Sequence, residues 1–116
     1  MEEVIRALIK DAVQGEHERR AAKRHPFVYP VSIHTPNQPP DFGFSRDLSQ
    51  TGLGLIHSSA WAAGTIADLE IHGPSEKPVA FKSEVRWARE YGNGWYLIGW
   101  RFLSLVTLQI VAQTPE

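Results

Sequence analysis

From Val28 to Leu103 the chain runs in short stretches that alternate apolar and polar residues, interrupted every few positions by Pro, Gly or Asn. A period of two puts successive side chains on opposite faces of an extended backbone, so this texture calls for strands with one buried face. The runs predict strands over Val28–His34, Asp41–Leu48, Gly52–His57, Thr65–His72, Val79–Arg89 and Trp95–Leu103. In the fifth, Val79, Phe81, Ser83, Val85 and Trp87 are expected to face inward, with Lys82, Glu84 and Arg86 in water. In the sixth, Tyr96, Ile98, Trp100 and Phe102 share a face. Pro36–Pro40 reads as a turn, and Tyr91-Gly92-Asn93-Gly94 as a hairpin turn. Six strands in roughly 75 residues have the spacing of a small antiparallel barrel or sandwich.

Ahead of the strands the period changes to that of a helix. Over residues 2–14, Val4, Ile5, Leu8, Ile9, Ala12 and Val13 form one stripe, with Glu2, Glu3, Arg6, Lys10 and Gln14 opposite and Gly15 as the stop. The polar face is not basic, which argues for packing on the barrel or a partner and against a membrane surface. The chain of 116 residues has room for one core. It lacks cysteine, which excludes disulfides, zinc–thiolate sites and cysteine nucleophiles. No run approaches the ~20 apolar residues of a membrane span, and the acidic start Met1-Glu2-Glu3-Val4 is unlike a signal peptide. The expected setting is cytoplasmic, without membrane insertion.

Net charge is −1, yet four of twelve Lys/Arg fall within residues 19–24. That basic run contains Arg20-x-x-x-Arg24, and Asp47-Leu48-Ser49-Gln50-Thr51-Gly52 follows later in the chain. Arginine forms paired hydrogen bonds with phosphate or with the O6/N7 edge of guanine, and stacks on bases. Aspartate accepts from guanine N–H groups and serine donates to phosphate oxygens. Glycine allows a tight turn or a close ligand. The inventory suits a purine nucleotide.

In order and spacing these motifs resemble the PilZ domain, a bacterial receptor module for cyclic di-GMP, over about Glu18–Leu103. There an RxxxR motif precedes the first strand and a [D/N]xSxxG motif follows the second. Gly52-Leu53-Gly54-Leu55 and Gly99-Trp100-Arg101-Phe102 resemble the family's barrel segments. The resemblance implies a mainly β fold: a small six-stranded antiparallel PilZ-type barrel over residues 18–116, with an N-terminal amphipathic helix and linker at 1–17. The family usually adds a short C-terminal helix, for which Ser104–Glu116 gives no strong signal of its own. It also implies cyclic di-GMP held by Arg20 and Arg24, with Arg19 supporting. Asp47 would read a guanine edge, Ser49 a phosphate or ribose oxygen, and Gly52 would keep the backbone low. Output would pass to an unidentified effector protein. Residues Gly15–His25 are expected to order when nucleotide draws the arginines onto the Asp47–Gly52 corner.

Other chemistries fare worse. His17, His25, His34, His57 and His72 have no metal-ligand spacing within one element, so no metal or other cofactor is expected. Ser49 lacks a G-x-S-x-G turn and a placed base, so no catalytic residue is assigned. Binding of DNA or of single-stranded nucleic acid needs a charge track, whereas here the charge sits in one segment. A protein-binding adaptor of the same family would not need both arginines. Trp87 reads either as core or as a stacking surface for a purine, and Arg101 as a strand-face residue or a ligand contact.

Overall fold

The computed structural model describes residues 1–12, 24–74 and 76–106. Its helix α1 spans Glu2–Ala12, followed by β1 (His25–Pro26), β2 (Pro30–His34), β3 (Asp41–Leu48) and β4 (Gly52–His57). Then come β5 (Ile66–Ile71), β6 (Val79–Gly92) and β7 (Trp95–Val106). All pairings are antiparallel, in the order β1-β3-β2-β5-β6-β7-β4, and β4 returns to β3. Strands β2–β7 therefore close into a six-stranded barrel, with β1 as an extra strand on β3. Closure leaves β2–β7 without a free sheet edge among themselves.

Alternation builds the interior as the sequence predicts: Leu53, Leu55, Leu69, Phe81, Ile98 and Trp100 are buried, and Phe81 stacks on Phe102 with ring centroids 4.4 Å apart. The helical stripe joins the same cluster through Ile5, Leu8 and Ile9, so α1 packs on the barrel. The rest of the expected helix, with Gly15, lies outside the described residues. The described helix is not long and apolar enough to cross a membrane. The β6–β7 hairpin turns on Asn93 and Gly94, whose positive φ values of 54° and 83° belong to a primed two-residue turn.

Two expectations need correction. The first strand does not begin at Val28, which is exposed. The chain instead pairs earlier, at His25–Pro26 against Leu48 and Asp47, buries Phe27, and enters β2 only at Pro30. Proline, without an N–H, suits a strand's first position. Trp87 does not face inward: it is 40% exposed. Partners jump from Val85↔Trp100 to Trp87↔Gly99, leaving Arg86 as the extra residue of a β-bulge and reversing the alternation beyond it. Ser104–Val106 continue β7, and the remaining tail, where the resemblance implies a short helix, lies outside the described residues.

Histidines pair across elements: His34 Nε2 with Glu70 at 2.8 Å, His72 Nε2 with Ser32 Oγ at 2.9 Å, and His57 Nε2 with Asp41 at 3.0 Å. His57 Nδ1 accepts from the Ser59 amide at 2.9 Å, so Nε2 carries the proton and donates to Asp41. That hydrogen bond holds the Asp41 carboxyl below its ordinary range.

Candidate functional site

Arg24 immediately precedes β1, and β1 is fastened to the end of β3 by the Leu48 and Asp47 pairings and by the Phe27 amide donating to the Arg46 carbonyl at 3.0 Å. Buried Phe27 fixes the segment from the other side. These constraints bring Arg24 to the second motif. Its Nη1 donates to Ser49 Oγ at 2.9 Å, and its Nε lies 3.4 Å from Asp47 Oδ1. Its guanidinium stays partly exposed, and Nη2 has no partner among the described residues. Arg24 therefore reaches the Asp47–Gly52 corner through contacts of the chain itself. Arg19 and Arg20, assigned the same clamp, lie outside the described residues.

Ser49 is buried and closes the β3–β4 turn: its amide donates to the Gly52 carbonyl at 2.9 Å, and its Oγ accepts from the Thr51 amide at 3.2 Å. Its visible work is to hold Arg24 and the turn. Asp47, only 15% exposed in its side chain, also accepts from Arg46 Nη1 at 3.0 Å. One carboxylate thus serves two guanidinium groups. Gly52 lines the site, but its lack of a side chain answers to β7, since a Cβ there would stand 2.0 Å from the Trp100 carbonyl oxygen.

Two further glycines shape the surface. Asp47, Gly54, Gly99 and Trp87 are register partners across β3, β4, β7 and β6, one row along the outside of the barrel. A Cβ on Gly54 would lie 2.6 Å from Asp47 Oδ1, and one on Gly99 would lie 2.3 Å from Trp87 Cε2. The carboxylate and the indole therefore fold down onto bare backbone from opposite ends of the row. The Arg89 guanidinium covers the indole at 4.8 Å from the ring, a cation–π contact that steadies its plane.

Beside the row opens a cavity of about 360 Å³, lined by Arg24, Arg86, Trp87, Gly99 and Arg101 among others. Three arginines and an exposed indole around a glycine floor can bind an anion bearing a flat ring: the cations take phosphate and the indole takes the base. Arg86 faces water as alternation predicts, and the bulge turns Trp87 out beside it, so the two are exposed in succession. Of the two ambiguous residues, Arg101 and Trp87 both reach the cavity.

The sequence profile of the PilZ domain matches residues 18–112. A search of curated proteins finds no sequence match. Among solved structures, the Bacillus subtilis inhibitor of motility (MotI/DgrA) superposes with a TM-score of 0.63 at 18% identity, covering 83% of this chain and 48% of that one. This chain thus spans about half of that protein's length, and the likeness is one of fold. The PilZ domain of a cellulose synthase from a cellulose-synthesising bacterium aligns at 20% identity over 76% of this chain and 86% of that one, with a TM-score of 0.45.

Proposed function

The chain belongs to the PilZ domain family, and from that premise we propose that it is a cyclic di-GMP receptor that passes the signal to a partner protein without catalysing a reaction. The observation that carries this reading is the seating of Arg24 on Asp47 and Ser49 beside an exposed tryptophan platform. Asp47 and Ser49 orient the guanidinium and neutralise part of its charge. Its Nη2 edge then meets a phosphate or a guanine edge already aimed, so less side-chain entropy is lost on binding. Arg19 and Arg20 complete the clamp from the preceding segment. A guanine stacks on the outer face of Trp87, with Arg86 and Arg101 on the phosphates. Asp47 reaches a guanine N–H only at its small exposed edge, and Gly52 keeps the turn close to β7.

Calorimetry with cyclic di-GMP, GMP and a short single-stranded oligonucleotide tests the reading. Saturable binding of cyclic di-GMP well above the other two is expected. Equal binding of the oligonucleotide would replace it with a nucleic-acid surface, and heat from none of the three would leave a protein adaptor.

A further inference from the structure

Asp47 divides its carboxylate between Arg24, at 3.4 Å, and Arg46, at 3.0 Å. Arg46 is the extra residue of a bulge, since β3–β4 pairing steps from Ser45↔Leu55 to Asp47↔Gly54. Its side chain points outward and its guanidinium also lies over the Tyr91 ring, 5.7 Å from the centroid. Tyr91 is itself an extra residue, in the step from Glu90↔Tyr96 to Gly92↔Trp95 at the tip of the β6–β7 hairpin. The same tip carries Trp95, which faces exposed Phe42 and Phe44 of β3 across a groove of about 560 Å³. One chain of contacts thus runs from the nucleotide corner to the hairpin tip: Arg24, Asp47, Arg46, Tyr91.

We infer that Arg46 carries occupancy of the nucleotide corner to the tip of the β6–β7 hairpin, loosening the tip from β3 when ligand is bound. The inference rests on the nucleotide reading given above. A phosphate or guanine that draws Arg24 toward itself weakens the Arg24–Asp47 pair. The uncompensated carboxylate then attracts Arg46 more strongly, because the two cations no longer share it. Arg46, already 3.0 Å from Oδ2, turns its guanidinium to take up the Oδ1 that Arg24 vacates, and so leaves the Tyr91 ring. The bulge makes that shift inexpensive, since no β4 partner pins Arg46. The tip loses its cation–π contact and Trp95 swings away from Phe42 and Phe44, widening the groove. Loss of an exposed cation–π contact corresponds to an about two- to fivefold change in the opening equilibrium.

Hydrogen exchange across residues 89–97 of the full chain reads this directly. In the wild type, saturating cyclic di-GMP should speed exchange there by about two- to fivefold. Tyr91→Leu should show the fast rate with or without nucleotide and, because the coupling is reciprocal, bind it up to about two- to fivefold more tightly than wild type. Arg24→Ala, which removes the first link, should show the fast rate with no nucleotide added. Unchanged exchange in the saturated wild type, or a nucleotide response in Tyr91→Leu as large as wild type, overturns the relay. Should cyclic di-GMP fail to bind at all, the receptor reading falls separately. The Arg24→Ala comparison then still decides the relay: a faster tip supports it and an unchanged tip overturns it.

Discussion

Gly99→Ala removes nothing from the protein and adds one methyl group, yet it should disable the stacking surface. The new Cβ would lie 2.3 Å from Trp87 Cε2, 2.6 Å from Nε1 and 2.7 Å from Cζ2. Ordinary carbon contacts begin near ~3.5 Å, so the indole must withdraw by about 1.2 Å. Trp87 is 40% exposed and can lift toward solvent, which keeps the folding penalty near the low end of overpacking, about 1 kcal/mol. The binding penalty is larger. Base stacking on an aromatic side chain is worth about 1–3 kcal/mol, so cyclic di-GMP affinity should fall by roughly 5- to 150-fold. Calorimetry on Gly99→Ala, Trp87→Ala and the double variant gives the decision. Both substitutions remove the same platform, so the double variant should bind about as weakly as the worse single one, a strongly non-additive pair. Wild-type affinity in Gly99→Ala, or losses that simply add, would refute the claim that the glycine exists to seat the indole.

Arg24→Ala should weaken cyclic di-GMP binding by about 1.5–3 kcal/mol in calorimetry, as for loss of a charge-assisted hydrogen bond. Its melting temperature should hardly move, because partly exposed ion pairs contribute little. Gly54→Ala pushes a methyl to 2.6 Å from Asp47 Oδ1; dislodging that carboxylate should cost about 1 kcal/mol of nucleotide affinity by the same assay, even though Gly54 itself need not touch the ligand. The His57 hydrogen bond lowers the Asp41 pKa beneath its ordinary 3.8. Asp41 therefore adds stability that is complete above that value and lost as pH falls through the lower folded value. Denaturant unfolding at a series of acidic pH values should show a shallower acid loss in Asp41→Asn than in the wild type.

Most of the barrel was legible because it rests on period-two alternation. Asp41–Leu48 and Gly52–His57 form strands within the bounds that alternation gives, and Leu53, Leu55 and Ile98 are buried as it requires. Strand β1 was not legible. Two residues carry no period, and their pairing follows from the long-range anchoring of Phe27 in the core. The motif residues Arg24, Asp47, Ser49 and Gly52 do converge, but their spacing could not reveal what each contacts. Ser49 is buried beneath Arg24 and Gly52 abuts the Trp100 carbonyl. Alternation placed Trp87 inside because a bulge is invisible to such a count, which assigns every residue beyond it to the wrong face; only the alternative reading of Trp87 as a stacking surface fits its exposure. Arg86 faces water as alternation requires, but nothing in the count tied it to the site.

That failure has a pattern. Three of the bulges insert Arg46, Arg86 and Tyr91, two arginines and an aromatic, all exposed: Arg86 lines the cavity, Arg46 pairs with Asp47, and Tyr91 lies against Arg46. A regular strand can offer only every second residue to one face, so consecutive side chains such as Arg86 and Trp87 cannot both line a surface site. Inserting one residue lifts that restriction at the cost of a local break in the ladder. The glycines complete the device: Gly54 and Gly99 are paired neighbours on β4 and β7, and their missing side chains clear the floor on which Asp47 and Trp87 lie. An apolar core specified by alternation therefore tolerates a polar, aromatic site on its outer wall. Regularity inside keeps the barrel closed, and departures from it on that wall bring cations and an exposed ring together, the pairing that the proposed nucleotide site requires.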